Sequence, residues 1–283
     1  MRPLARILQG KMTEEQLELV PRSYDVVGSK EKSVAIIEVS EELDKKKKVI
    51  AKALMKLNRN VKSVLNKTSG RKGAYRLSDM ELVGGNKDTE VLHKEYGYSL
   101  KLNPRKVYFS PREMTERERI ASQVKPNETV VVFFSGVSPY AVAIAKKQPS
   151  INKIYSIEIN PDAHKYAEEN VRINKLSHKI VLINDDVRKF CESTDIKFDR
   201  IVMPIAIGGE DYLDFAFKIV KNNGMIHFYS TGNVNDMFSK AEELIKEIAK
   251  KNKRKIKIEK RVKVLPFGVK SYKICIDIKA GVA

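Results

Sequence analysis

The 283-residue sequence contains little cysteine and histidine, which limits the kinds of site it can hold. Its two cysteines, Cys191 and Cys275, stand far apart, so neither a disulfide framework nor a zinc site is expected. The four histidines show no ligand spacing and are interpreted as structural or surface residues. No metal site is therefore predicted. Two cysteines without a disulfide framework fit a reducing compartment, and a cytoplasmic location is predicted.

Long apolar segments are also missing. The sequence has no run of eighteen apolar residues, so no membrane span is expected. The N-terminal residues 1–9 lack an apolar core followed by small residues, which makes a secretory signal unexpected. With 283 residues and 42% hydrophobic content, the chain is long enough for two domains with separate cores.

Positive charge is present in excess. The chain carries 54 Lys and Arg against 36 Asp and Glu, a formal net charge of +18. The basic residues cluster, first from Lys45 to Lys72 and again from Lys250 to Lys263. A densely charged surface like that of thermophile proteins would explain the charge content but not the imbalance. The excess favours a polyanionic partner, and nucleic acid is predicted.

The pattern of apolar residues changes near residue 120. Residues 1–20 resemble a short helical lead, in which Thr13 suits a helix N-cap. Residues 21–120 mix short extended pieces, among them 107–109, with one amphipathic helix, and predict a small α+β domain. Residues 121–283 alternate strands and helices and end in two strands that suit an antiparallel edge. This alternation predicts a parallel sheet covered on both faces.

The segment from Glu128 to Asp186 carries the strongest functional signal. A strand over 129–134 leads into a turn over 135–139, and the next strand ends on Glu158. A nucleoside cofactor needs this layout, because a tight turn allows close backbone approach and the acid binds the ribose hydroxyls. Only Gly136 remains of the dinucleotide fingerprint, which favours S-adenosylmethionine (SAM) over a dinucleotide. The alternative is a generic α/β unit whose acids cap strands or helices.

Four motifs in this chain resemble the archaeal tRNA (guanine-N1)-methyltransferases that act at position 37. The most specific is Val107–Arg117, which follows the pattern that precedes the SAM domain in that family. Gly73–Leu77 matches a segment with a catalytic arginine, and Tyr155–Pro161 and Glu168–Asn174 match the region around the ribose acid. The resemblance begins at Leu19 and runs nearly to the C-terminus. It implies a Rossmann-like α/β methyltransferase sheet preceded by a small α+β domain that binds tRNA.

The resemblance also implies roles for individual residues. Guanine N1 carries a proton at neutral pH, so a base must remove it, and the charge that develops on O6 needs a cation. By resemblance Glu116 is the base, Arg76 stabilises O6, and Tyr108 lies beside the SAM methionine and the target base. Without the family, Glu116 would be interpreted as part of a solvated helix start. The full set of cofactor-binding residues expected is Tyr108, Arg112, Ser135, Gly136, Val137, Glu158, Ile159, Asp185, Asp186 and Pro204.

Two motifs depart from the family pattern. The first SAM turn usually begins with Asp and has two glycines, where this chain has Val132, Gly136 and Ser138. The usual Asn-Leu-Pro is replaced by Pro204, Ile205 and Ala206. A related aminocarboxypropyl transferase and a noncatalytic tRNA-binding paralogue therefore stay open as alternatives. The expected partner is the anticodon stem-loop of tRNA. A monomer of minimal two-domain form is also expected, since the additional N-terminal domain of many family members is not evident.

Overall fold

In the computed structural model, which describes residues 2–281, the chain divides into two units, Met1–Pro111 and Arg112–Ala283. This division falls at Pro111, whereas the sequence pattern placed it near residue 120. The helices and strands of the first unit are α1 (Pro3–Leu8), α2 (Glu14–Leu19), β1 (Asp25–Gly28), β2 (Ser33–Ile37), α3 (Lys47–Leu57), β3 (Val61–Lys67), β4 (Met80–Gly85), β5 (Val91–Glu95) and β6 (Tyr98–Leu102).

The first unit is built on a four-stranded sheet in the order β1-β2-β3-β4, with β5 and β6 as a separate hairpin. Ile50 and Leu54, one turn apart on α3, are buried in its core. Leu4 and Leu8 of α1 join the same core, so the helical lead packs as part of this unit. Thr13 caps α2 in a capping box with Gln16, which confirms the predicted N-cap.

A 3₁₀ turn over Pro111–Glu113 stands at the division between the units, and the second unit continues from it. Its helices and strands are α4 (Met114–Ala121), β7 (Thr129–Val132), α5 (Pro139–Lys147), β8 (Lys153–Ile157), α6 (Pro161–Ile173), β9 (Ile180–Ile183), α7 (Val187–Ser193), β10 (Phe198–Met203), α8 (Leu213–Ile219), β11 (Val220–Asn233), α9 (Ser239–Lys251), β12 (Ile256–Gly268) and β13 (Ser271–Ala280). They form a seven-stranded sheet in the order β12-β13-β11-β10-β7-β8-β9. The predicted fold class is confirmed.

The core of the second unit lies between the sheet and its helices. Its strands pair in parallel from β11 through β9, while β13 and β12 add antiparallel partners at the other side. Apolar residues of neighbouring strands, such as Val131 and Ile201, are fully buried in this core. Parallel order brings the carboxyl ends of β7, β8, β9 and β10 to one edge, which we call the carboxyl edge.

Two expected segments differ from the structure. The extended piece predicted over 107–109 is a loop, and the strand predicted over 225–229 is the much longer β11. The hydrophobic pattern did not reveal the full length of β11, because both ends of the strand contain polar residues such as Asn222 and Thr231. Thr231 belongs to the strand because β13 pairs with it from Gly224 to Asn233, and Asn222 follows the pairing of Val220 with Phe198 of β10 at the start of β11. Within residues 2–281, no helix is long and apolar enough to cross a membrane.

Candidate cofactor and catalytic site

The turn after β7 has the backbone that a nucleoside site requires. Phe134, Gly136 and Ser138 have φ values of 51°, 56° and 62°, in the left-handed region. Two of them are not glycine, and such strain is characteristic of functional sites. Ser138, which replaces a family glycine, is fully buried, and its hydroxyl lies 2.7 Å from that of Ser156. The hydrogen bond holds Ser138 in this conformation, so the turn is formed without the second glycine.

Glu158 follows β8 and reaches back to this turn. Its Oε2 accepts from the backbone N–H of Gly136 at 2.6 Å, and its Oε1 accepts from that of Asn160 at 2.8 Å. Burial raises the pKa of Glu158, and the backbone N–H groups counter this only in part. Ile159, next in the chain, is 40% exposed. The structure therefore brings the predicted ribose acid to the predicted turn.

The same turn contains a buried polar atom in need of a partner. Ser135 is 4% exposed, and its hydroxyl has no hydrogen-bond partner among residues 2–281. Val137, also predicted for the pocket, is fully buried. A buried hydroxyl without a partner is costly, and a ligand oxygen or nitrogen would satisfy it. The residues of the turn therefore fit the ribose and adenine of a bound SAM.

The carboxylate of Asp186 already has hydrogen-bond partners within the protein. It caps α7 by accepting from the backbone N–H of Arg188 at 2.7 Å, and it pairs with the Arg188 guanidinium at 2.7 Å. This guanidinium holds the pKa of Asp186 below its ordinary value. The Asp185 carboxylate accepts from the backbone N–H of Asp186 at 2.7 Å. The family resemblance implies that Asp186 accepts from the adenine amino group, for which only the lone pairs that Arg188 leaves open remain. Arg188 was not among the predicted site residues.

Two aromatic rings lie beside this acidic pair. Phe134 and Tyr212 meet edge to face with their centroids 4.7 Å apart, and the Arg188 guanidinium lies 5.5 Å from the centre of the Tyr212 ring. Neither aromatic residue was among the predicted site residues. A preference for aromatic neighbours of an adenine ring could have suggested Phe134, since it belongs to the turn.

Glu116 is buried in a network of ions on α4. The Glu116 side chain is 6% exposed. The Arg119 guanidinium donates to both its carboxylate oxygens, with Nε–Oε2 and Nη2–Oε1 distances of 2.7 Å. The Tyr229 hydroxyl donates to Oε1 as well. Arg117 is also buried, at 2% exposed. The charged run at the start of α4 is therefore not a solvated helix start.

The network continues away from Glu116 through the sheet. Arg119 also pairs with Asp277 at 2.7 Å, and Asp277 accepts from Nδ1 of His227 at 2.7 Å. Arg200 donates to Nε2 of His227 at 2.6 Å and pairs with Glu128 at 2.8 Å. Because Nε2 accepts from Arg200, the ring proton is on Nδ1 and the imidazole is neutral. Burial lowers the pKa of His227, which agrees with this tautomer.

Asp277 is the centre of this network. Burial alone would raise the pKa of Asp277, but the hydrogen bond from His227 and the charge of Arg119 hold it far below its ordinary value. Potential metal-ligating atoms of His227, Cys275 and Asp277 lie within 4.8 Å of one another. Arg119 donates to Cys275 Sγ at 3.3 Å and Arg200 occupies the Nε2 lone pair. Two guanidinium groups among these atoms oppose a bound cation.

Pro204 is fixed by a buried lysine. Lys273 is 4% exposed and donates to the Pro204 carbonyl at 2.8 Å. It also pairs with Glu113 at 2.9 Å and lies 4.9 Å from the centre of the Tyr229 ring. The predicted cofactor residue Pro204 is therefore held at the end of β10 by a side chain from β13. Sequence reasoning missed Lys273, because 69 residues separate it from Pro204.

The other predicted residues lie in different places. Arg112 belongs to the 3₁₀ turn before α4. Tyr108 and Arg76 belong to the first unit. The Tyr108 ring is 40% exposed, with the guanidinium of Arg71 4.2 Å from its centre, and Arg71 donates to its hydroxyl at 3.0 Å. Arg76 has a φ of 53° in a turn closed by its N–H and the Gly73 carbonyl. The strained backbone at Arg76 is consistent with a functional loop.

Comparison with known families decides between the methyltransferase layout and a generic α/β unit. The profile of the TRM5/TYW2 methyltransferase domain matches residues 91–258, and that of the TYW2 N-terminal domain matches residues 4–89. The chain belongs to the TRM5/TYW2 methyltransferase family. This confirms the resemblance identified in the sequence.

Relatives on both sides of this TRM5/TYW2 family are similar to the chain. The tRNA (guanine(37)-N(1))-methyltransferase Trm5b of Pyrococcus abyssi is 33% identical over 94% of this chain and 77% of its own length. Its crystal structure superposes with a TM-score of 0.85, covering 95% of this chain and 78% of that one. A complex of aTrm5 and tRNALeu is 33% identical, with a TM-score of 0.84 over 98% of this chain and 77% of that one.

The TYW2 side is represented by a match of lower identity that covers both chains in full. Pyrococcus horikoshii TYW2 in complex with MeSAdo is 26% identical, with a TM-score of 0.80 and coverage of 100% of both chains. Membership in the TRM5/TYW2 family therefore establishes the fold and leaves two transfer reactions to compare. The roles of individual residues stay predictions.

Proposed function

We propose that the protein is a SAM-dependent tRNA methyltransferase that transfers a methyl group to N1 of guanosine at position 37. The observation that supports this best is the match to Trm5b along 94% of the chain, together with the buried Glu116 in the motif that resembles the methyltransferase family. Buried carboxylates on a site edge are suited to proton transfer, because a base must be held in place to act.

The cofactor supplies the methyl group. Glu158 binds the ribose hydroxyls, and the Ser135 hydroxyl and the backbone around Gly136 hold the adenosine. The support is the orphaned Ser135 hydroxyl, the position of Glu158 at the turn and the adenosine-type ligand MeSAdo named with the TYW2 structure. Arg112, Val137, Ile159, Asp185, Asp186 and Pro204 are the further cofactor residues of the second unit implied by resemblance, and the cofactor contact of Tyr108 stays a prediction.

Glu116 takes the N1 proton. A carboxylate has about four lone-pair sites, and three are used by Arg119 and Tyr229. The remaining site is on Oε2, and it is the one that accepts the proton. Arg76 as the cation for O6 and Tyr108 beside the methionine of SAM stay predictions from the family resemblance.

The nucleic-acid partner is tRNA, and the anticodon stem-loop is the part that the site engages. The family relatives named above act on or bind tRNA. Lys48, Lys52 and Lys56 are exposed at spacings of four along α3, so they line one face of that helix. We assign residues 21–120 to tRNA binding and catalysis and residues 121–283 to SAM binding. The lead over 1–20, a monomeric state and a cytoplasmic location remain predictions.

A specific observation favours a second candidate, transfer of the aminocarboxypropyl group of SAM. The TYW2 N-terminal profile covers residues 4–89, and Pro204, Ile205 and Ala206 replace the expected Asn-Leu-Pro. Both reactions use SAM as the cofactor. Methyl transfer breaks the bond from its sulfonium sulfur to the methyl carbon, and aminocarboxypropyl transfer breaks the bond from the same sulfur to the aminocarboxypropyl carbon. The motif Val107–Arg117, which resembles the methyltransferase pattern and includes Glu116 as the base, favours methylation.

Product mass separates the two reactions. The protein is incubated with SAM and two substrates, an unmodified tRNA transcript with guanosine at position 37 and a tRNA with the tricyclic wyosine intermediate there. Nucleoside mass spectrometry of the first is expected to show 1-methylguanosine. An aminocarboxypropyl adduct on the second, with no methyl on the first, would establish the alternative. Binding of tRNA without either product would support a noncatalytic paralogue.

A further inference from the structure

Three strands of the second unit continue past the end of the parallel sheet. β10 has its last pair with β11 at Met203 and Phe228, but β11 pairs with β13 as far as Asn233. β12 stays paired with β13 to Gly268. We call the residues 229–233, 262–268 and 271–275 the sheet extension. At about 3.4 Å a residue, it reaches roughly 17 Å beyond β10.

The direction of the strands decides where this extension lies. β11 runs parallel to β10 and β7, so its continuation leaves from the carboxyl edge. The same edge carries the turn around Gly136 and the Glu158 carboxylate, which follow β7 and β8. The sheet extension therefore stands beside the candidate cofactor site, on the side of β10 where Lys273 fixes Pro204.

The tip of the extension combines exposed apolar and basic groups. Val269 is 95% exposed and Phe267 is 36% exposed. Lys263 and Lys270 are exposed, as is Lys260, which lies on β12 two residues before the extension and opposite Asp277 in the strand register. None of the three lysines makes an ion pair within the described residues, and the Lys263 ammonium lies 3.6 Å from the centre of the Tyr272 ring. By contrast, the nearby Arg261 is paired with Glu242. The tip thus has positive charge that no side chain of residues 2–281 neutralises.

A polar cavity lies under the extension. It has a volume of about 240 Å³ and lies between the end of β11 and the start of α9. Its polar lining consists of Thr231, Asn233, Ser271, Lys240 and the carboxylate of Asp236, which accepts from the backbone N–H of Ser239. These groups offer hydrogen bonds at the base of a basic and aromatic tip. Such a combination is what proteins use to hold single-stranded nucleic acid, through stacking on aromatic rings and contacts with phosphates.

We propose that the sheet extension binds the unpaired RNA strand beside the target nucleotide. Phe267 stacks on a base, and Lys260, Lys263 and Lys270 contact phosphates. The inference rests on the proposed function, since a base that is methylated at N1 must leave its stack, and its neighbours must be held. RNA fits this surface because the charged side chains of residues 262–275 are all basic and the exposed ring accepts any base.

The test compares two charge-reversal variants of equal size. One carries Lys260→Glu, Lys263→Glu and Lys270→Glu. The control carries Lys125→Glu, Lys146→Glu and Lys175→Glu, which are exposed near the opposite edge of the sheet. Affinity for an anticodon stem-loop transcript is measured by fluorescence anisotropy across salt concentrations. Each lost single-strand contact reduces the log–log salt slope by about 0.7, so the first variant is expected to lose about 2 and the control little.

Stacking is tested separately at Phe267. Phe267→Ala is expected to weaken stem-loop binding by about 5- to 100-fold with little change in salt slope, the scale of one lost stacking contact. Phe267→Tyr keeps the ring and should bind like the wild type. Calorimetry of SAM binding checks that each variant keeps its fold, because the substituted residues are exposed and lie outside the cofactor turn.

The outcomes distinguish this inference from its rivals. Equal losses in both charge variants would mean a general electrostatic field, and the proposal would be overturned. Unchanged RNA affinity in all tip variants would also overturn the proposal. The lysines would then serve only to prevent the edge strand β12 from pairing with a strand of another molecule. A wild-type dimer that becomes monomeric in Phe267→Ala, with RNA affinity kept, would make the tip a contact between copies. If the wild type binds RNA through the tip but makes no modified nucleoside, the proposed function fails and this inference stands.

Discussion

Arg119 holds both carboxylate oxygens of Glu116 while its other Nη atom binds Asp277, each at 2.7 Å. The predicted base is therefore not a free carboxylate but one end of a buried ion network. Bidentate guanidinium pairs fix the plane of a carboxylate, and Arg119 thereby sets the direction of the open Oε2 lone pair. A fixed orientation is one requirement of a general base.

Replacing Glu116 tests its role in the chemistry. Glu116→Gln keeps the size of the side chain but removes its ability to take the N1 proton. Methyl transfer in a single turnover is expected to fall by about 100-fold or more, while SAM and tRNA affinities change little. Glu118→Gln is the matched control, since Glu118 is on the same helix and pairs with Lys147 at its surface. Transfer at the wild-type rate in Glu116→Gln would remove Glu116 from the mechanism.

Replacing Arg119 tests the stability of the network. Arg119→Met leaves Glu116 and Asp277 buried at 6% and 1% exposed without their shared cation. Removal of one partner from a buried ion network costs about 3–5 kcal/mol, and the free energy of unfolding is expected to fall by this order. Urea titration followed by circular dichroism measures it. Arg261→Met, which breaks an exposed pair with Glu242, is expected to have little effect.

The same network predicts how stability depends on pH. Burial lowers the pKa of His227 from an ordinary value of 6.5, so the unfolded chain takes up a proton there before the folded chain does. Stability is therefore expected to fall as the pH drops below about 6.5. The pKa of Asp277 is lowered from its ordinary value of 3.8, so the unfolded chain protonates this carboxylate first. Stability is therefore expected to fall further below about pH 3.8. His227→Gln can donate to Asp277 and accept from Arg200 without titrating.

Thermal unfolding between pH 7 and pH 5 measures the first of these losses. The wild type is expected to lose stability over this range, and His227→Gln is expected to lose less. Since both proteins keep the other titrating groups, the difference between their pH profiles belongs to His227. Parallel profiles would mean that His227 does not titrate on unfolding as proposed.

Local patterns predicted much of the fold and part of the site. The apolar run at Val130–Val132 and the proline at the start of α6 gave the strand–turn–helix order, and Glu158 followed from its place after the next strand. Hydrophobic period and helix caps depend on neighbouring residues, so one sequence reveals them.

Contacts between residues far apart in the sequence could not be predicted from such local patterns. Asp277 meets Arg119 across 158 residues, and Lys273 meets Pro204 across 69. No spacing rule connects residues so far apart, because only the order of strands in the sheet makes them neighbours. Arg188 was missed for another reason. An arginine two residues after an acid is common on surfaces, and only the cap of α7 brings it onto Asp186.

Glu158 provides the test of the cofactor site itself. Glu158→Ala removes the carboxylate that faces the Gly136 turn, and SAM binding is expected to weaken by about 1–3 kcal/mol through lost charged hydrogen bonds to the ribose. Isothermal calorimetry with SAM measures this at constant pH. Glu168→Ala, an exposed carboxylate on α6, is the matched control and should bind like the wild type. Because Glu158 also accepts from two backbone N–H groups, a thermal scan must show that the variant remains folded. A folded variant with unchanged SAM affinity would place the ribose elsewhere than at Glu158.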